Sequence, residues 1–260
     1  LLLLGKTYTF VFLASLFFVS AFFITLISIS NKNKRKNIEI QAAPSLANEA
    51  REIFSFIRKT RKVMYALTML TIAQAVIFMF AVLSPSYATD VLKVQLESLS
   101  WIIIAPAAIG MGVGALILGS IGKKFNRKWL SSLGFLLGGA SFIIFPFLNQ
   151  ATSHGFVQFL NKILPIFLNI TSLHVVVFMA AVIGFAISLI FIPSNATIQM
   201  ETAESMRGRV YGLLNALIGA VSFLPVVLAG GLADLFGVAT VITGFGIIML
   251  SIGIFFLAFE

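Results

Sequence analysis

From Val210 to Leu232 the chain runs for about two dozen residues without a charge. An α-helix rises 1.5 Å per residue, so this run is long enough to cross the ~30 Å hydrocarbon core of a bilayer. Glu201, Glu204, Arg207 and Arg209 precede it, and Asp234 follows a Gly-Gly pair at its far end. Charges therefore stand where a spanning helix meets water. Small residues within the run, Gly212, Ala216, Gly219, Ala220 and Ala229, allow neighbouring helices to approach closely.

The rest of the chain is of the same kind. It is 59% hydrophobic and 10% charged over 260 residues, against about 25% charged in a soluble domain. Twenty-seven Phe and twenty Gly, without the alternation of barrel strands, predict an all-α, polytopic membrane helix bundle. Cysteine is absent, which excludes disulfides and thiolate metal sites. His154 and His174 lie far from any cluster of acids, so neither metal nor cofactor is expected. The net charge of +9 could suggest nucleic acid. In a membrane chain it reads instead as the excess of Lys and Arg that holds loops on the cytoplasmic side. The first residue is Leu, and no signal peptide with a cleavage site is visible. The expectation is a piece of a longer protein.

Seven spans are expected. The first, Thr7 to Ile29, is Phe-rich and is followed by the basic run Lys32, Lys34, Arg35 and Lys36. Pro44 breaks the chain. Leu46, Ala50, Ile53 and Ile57 then recur at helical spacing among Arg51, Arg58, Lys59, Arg61 and Lys62, which predicts a basic amphipathic helix on the membrane surface. Val63 to Leu83 is the second span, with Pro85, Ser86, Tyr87 and Asp90 read as the loop beyond it. Leu99 to Ile121 is the third and Trp129 to Leu148 the fourth. Gly110 and Gly114 in the third, and Gly134 and Gly138 in the fourth, stand in G-x-x-x-G spacing. Phe156 to Leu168 is apolar but too short to cross and is placed in the interface. Leu173 to Pro193, Val210 to Leu232 and Val238 to Phe259 complete the set.

Alternation of these spans sorts the charges. Fifteen of the 18 Lys and Arg fall on the side of Lys32, and only Lys6, Lys93 and Lys162 on the other. The positive-inside rule then puts the basic side in the cytoplasm, the first residue outside and Glu260 inside. No Asp or Glu lies mid-span, so a titratable group for proton coupling is not visible in the chain. Mid-membrane polarity is limited to Gln74 and Asn215, with Asn195 and Gln199 near the inner end of the fifth span. Each amide could equally be a helix-to-helix hydrogen bond.

Two inner turns carry the specific pattern. One is Gly119-Ser-Ile-Gly-Lys-Lys-Phe-Asn-Arg-Lys128. The other is Arg207-Gly-Arg209, joined with Ala229-Gly-Gly-Leu-Ala-Asp234-Leu-Phe-Gly237. On these residues the chain resembles the major facilitator superfamily, and within it the branch of macrolide efflux proteins and the enterobactin exporter. Gly119, Lys124, Arg127 and Lys128 match positions of the family's loop motif. Lys123 replaces its Asp and Asn126 its second Gly, which weakens a charge-relay role for this loop. The resemblance implies helices six to twelve of a twelve-helix transporter. Residues 1–30 would close the amino half, 31–62 would be a cytoplasmic linker, and 63–260 would form the six-helix carboxyl half.

That resemblance implies efflux of an amphiphilic small molecule of drug or siderophore type through the cell membrane, by alternating access. A proton gradient would drive it, and a missing amino-terminal half would supply the other wall. Gln74, Asn195, Gln199 and Asn215 are the implied cavity residues. Glu201, Glu204, Arg207 and Arg209, together with the Gly119–Lys128 turn, are the implied gate, with the two arginines able to pair with the two glutamates across one turn of chain. Equally, the four basic residues of the Gly119–Lys128 turn could simply hold it inside against anionic lipid headgroups, and the Glu201–Arg209 stretch could be a solvated turn. The first, fourth and seventh spans would face lipid. Among rivals, a lipid flippase without ion coupling fits the same spans. A seven-helix retinal protein does not, since the last span has no lysine. No nucleophile elbow, zinc-protease motif or phosphate-binding loop points to an enzyme, and nucleic acid is not an expected partner.

Overall fold

The computed structural model describes residues 5–26, 46–148 and 172–258. The expected interfacial stretch Phe156 to Leu168 and the basic run Lys32 to Lys36 lie outside them. The chain divides into two units, Leu1–Ala50 and Arg51–Glu260. In the first, α1 (Gly5–Leu26) is a single helix. Its described side chains are all exposed, and Ser15 and Thr25 donate their hydroxyls to the carbonyls of Phe12 and Phe22. That internal bonding lets a Phe-rich helix enter lipid without bare polar groups.

Arg51–Glu260 is a helical bundle. Helix α2 (Leu46–Lys59) runs into it, followed by α3 (Arg61–Ser86), α4 (Ala105–Ile121), α5 (Arg127–Ile144), α6 (Ser172–Glu201), α7 (Glu204–Phe236) and α8 (Val238–Ala258). Six helices among the described residues are long and apolar enough to cross a membrane. The described apolar stretch of α1, Phe10–Thr25, is shorter. Helix α5 packs on α6 and α8, α4 packs on α6, and α3 packs on α6 and α7.

Glycines set these seams. A Cβ on Gly110 or Gly184 would strike the backbone of Ala181 or Ala107, so α4 and α6 touch backbone to backbone. On the α5–α8 seam a Cβ on Gly139 would lie 2.6 Å from the Leu250 nitrogen, and one on Gly246 2.8 Å from the Ile143 nitrogen. Between lipid-facing helices the driving force is van der Waals contact rather than burial from water, so close approach is what holds the bundle.

Two proline readings are corrected. Pro85 does not end its helix. The span continues to Val91 through a wide π turn, Tyr87–Val91, in which the Leu92 amide reaches the Tyr87 carbonyl at 3.0 Å. The reason is tertiary: Tyr87 is fully buried, stacks on Phe145 at 4.7 Å and donates its hydroxyl to the Phe145 carbonyl at 2.7 Å. Pro193 likewise lies inside α6, which runs on to Glu201. Helix α7 is longer than its apolar run and ends at Gly237, whose φ of 82° is a left-handed conformation open to glycine.

The amphipathic stretch is a helix, but much of its apolar side meets protein. Ile57 is buried, and Ile53 and Phe56 pack with Val63, Leu67, Ile198, Val210 and Leu214. Helix α5, which the resemblance puts toward lipid, is the most covered span, with 61% of its apolar window buried. Helix α7 is the most open, at 11%.

Candidate functional site

Three turns meet at one end of the bundle. Lys62 at the start of α3 binds Glu201 at the end of α6 at 2.8 Å. Tyr65 donates to the Lys128 carbonyl and shares a 3.2 Å hydrogen bond with Ser132, which ties α3 to the start of α5. Arg127 reaches the Met200 sulfur at 2.8 Å. The turn near residue 125 and the turn near residue 203 therefore lie together, as alternation of the spans requires.

The ion pairs differ from the expected ones. Glu201 goes to Lys62, not to an arginine across its own turn. Arg209 reaches Glu52 of α2 at 3.3 Å. Arg207 and Glu204 do pair locally, at 3.9 Å. Arg207 also donates to the Thr202 carbonyl at 3.2 Å, holding the tight turn between α6 and α7. The cause is packing: the end of α6 abuts α3, and α2 crosses the start of α7, so partners from other elements are nearer. Each pair is partly exposed, and such pairs contribute roughly 0.2–1 kcal/mol. Bonds this weak hold one arrangement without locking it. Gly119 and Lys124 are exposed, with open space around Gly119.

The four amides do not converge on one point. Asn195 donates to the Phe191 carbonyl at 2.9 Å and accepts from the Tyr211 hydroxyl at 3.1 Å, linking α6 to α7. It is a tie between helices. Gln74 is half-buried on α3, Gln199 is exposed near the end of α6, and Asn215 is exposed on α7. None of these last three makes a hydrogen bond among the described residues. Asn215 sits in an open stripe on α7 formed by Gly212, Ala216, Gly219, Phe223 and Val227.

Two features escaped the sequence reading. One is a cleft of about 250 Å³ between α2, α3 and α7, lined by Phe54, Ile57, Leu67, Thr71, Leu213 and Val221. Thr68 and Thr71 are its polar residues. The Thr68 hydroxyl donates to the Met64 carbonyl at 3.0 Å, and the Thr71 hydroxyl is buried and has no hydrogen-bond partner. A lone threonine in an apolar helix gives no signal in sequence, because its hydroxyl usually bonds its own helix. The other is a cavity of about 310 Å³ at the charged end, between α3, α5 and α6. No group of acids and histidines among the described residues could hold a metal.

A bundle of apolar helices, joined by charged turns at one end and carrying an uncovered helix face, defines a polytopic membrane protein. Residues 1–224 match the Major Facilitator Superfamily, and the chain belongs to that family, whose members are transporters rather than enzymes. It is similar to the multidrug efflux pump Tap of Mycolicibacterium fortuitum, 26% identical over 176 residues, covering 68% of this chain and 37% of that protein. It is also similar to Tap of Mycobacterium bovis and of Mycobacterium tuberculosis, in each case 29% identical over 168 residues, covering 65% of this chain and 34% of the relative. The chain thus matches about a third of the length of these relatives. No solved structure matches it.

Proposed function

We propose that this chain forms one wall of a secondary transporter that exports amphiphilic small molecules by alternating access. The observation that carries the substrate class is the apolar cleft with the unpartnered Thr71 hydroxyl, beside the open face of α7 with Asn215. An apolar pocket with one or two polar points takes molecules of mixed polarity and selects weakly among them. The relatives' name, multidrug efflux pump, supports the same reading.

In this reading the charged end faces the cytoplasm, as the excess of basic residues there favours. The Lys62–Glu201 and Arg209–Glu52 pairs hold that end in one state and part in the other. Residues outside this chain supply the second wall. They also supply any proton-carrying carboxylate, since none of the described acids lies mid-span. The cell membrane is the site of action.

The test is accumulation of a panel of cationic and neutral drugs in cells carrying the complete gene. Expression lowers accumulation of several compounds. Thr71→Val and Asn215→Leu each raise it again, with unequal effects across the panel. Unchanged accumulation for every compound on expression of the wild-type gene would refute export of this class.

A further inference from the structure

The cavity of about 310 Å³ at the charged end is in the size range of ligand pockets. Its polar lining is Lys62, Tyr65, Asn126, Arg127, Lys128, Ser131, Ser194, Thr197 and Glu201. Lys62 and Glu201 neutralise one another at 2.8 Å. Arg127 and Lys128 remain. Among the described residues neither has a carboxylate partner: Arg127 donates to a thioether sulfur, and Lys128 lies 5.6 Å above the Tyr65 ring. Sulfur is a weak acceptor and does not neutralise a guanidinium. Ser131 and Ser194 are buried at the cavity wall with their oxygens 3.4 Å apart. Two uncompensated cations beside buried hydroxyls form a site for a compact anion with several acceptor oxygens, which is the chemistry of phosphate.

The depth of the site argues for the source. Phe125 and Trp129 flank the two cations in sequence, stack at 6.1 Å and remain exposed. Exposed aromatics at the end of a spanning helix sit at the level of lipid headgroups. Basic pockets between spanning helices at that level take anionic headgroups. We propose that this cavity binds the phosphate of an anionic phospholipid, bridging α3, α5 and α6. A phosphate there would touch groups from all three helices, so the lipid clamps the end of the bundle at which the ion pairs sit.

The test uses the full chain in nanodiscs of phosphatidylcholine with a graded fraction of phosphatidylglycerol. Native mass spectrometry after extraction reads the lipid retained. The wild-type chain keeps phosphatidylglycerol over phosphatidylcholine. R127Q with K128Q weakens that retention roughly 30-fold, at about fivefold per charge. Arg127→Lys, which preserves the charge, keeps most of it, and Lys93→Gln, beyond the far end of α3 and its π turn, leaves it unchanged. Size-exclusion profiles of all variants report folding, and the intact Arg127→Lys chain keeps the comparison valid. Millimolar inorganic phosphate does not displace the lipid. If it does displace it, the anion site stands and the lipid source is overturned. Equal retention of the two lipids by the wild-type chain, or the same retention by R127Q with K128Q, overturns the site.

Discussion

Tyr87 and Thr71 show how single polar atoms are handled inside this bundle. Tyr87 is buried with its hydroxyl satisfied by the Phe145 carbonyl. Tyr87→Phe removes this donor, while the Phe145 carbonyl keeps the Leu148 amide at 3.2 Å, so thermal unfolding in detergent moves down by about 1 kcal/mol. Thr71 is the reverse case, a buried hydroxyl with nothing to bond. Thr71→Val removes a desolvated polar group and raises stability by about 1 kcal/mol. If Thr71 serves the substrate, the same change lowers drug export, so stability and function move in opposite directions. A drop in the melting temperature of Thr71→Val would show that the hydroxyl has a partner after all.

Helix seams depend on glycine where backbones touch. Gly139 lies against the backbone of Leu250 and Gly246, whereas Gly244 on the same helix as Gly246 has open space around it. Gly139→Ala therefore pushes α5 from α8 and costs about 1–3 kcal/mol. Gly244→Ala gains helix propensity and stabilises by about 0.5–1 kcal/mol. Melting curves of the two variants in the same detergent check the contrast; equal shifts would mean the seam is softer than its geometry. Helix α2 is the other informative element. Its apolar side is partly taken by α3, α6 and α7, which brings Glu52 to Arg209.

At the scale of the molecule, the ion pairs at the charged end join elements far apart in sequence. Neutralising Arg207 and Arg209 together, as Arg207→Gln with Arg209→Gln, impairs transport by the complete protein while membrane insertion, read by protease protection, is unchanged. Exchanging the charges, Glu52→Arg with Arg209→Glu, restores part of the export that either single reversal loses. Drug accumulation checks both, and wild-type export in the neutralised double variant would refute a gating role. Because the pairs are partly exposed, high salt weakens them, and the effect of either mutation shrinks as ionic strength rises.

Length and apolar content alone determined that the chain is a membrane bundle, and the spacing of basic turns determined which turns share an end. Those properties are local: a run of apolar residues enters lipid as a helix whatever its neighbours, and alternation follows from counting. The G-x-x-x-G pairs were also legible, since close approach needs small residues whatever the partner. Tertiary structure decided where helices end, because Pro85 and Pro193 break a helix only if nothing else holds it, and at Tyr87 the hydrogen bond to Phe145 holds it. It decided, too, that Glu201 meets Lys62 and that Asn195 is tied to Tyr211 rather than free to meet a ligand. A side chain's partner depends on which helix lies beside it, and that is set by packing over the whole bundle, which no single stretch of sequence contains.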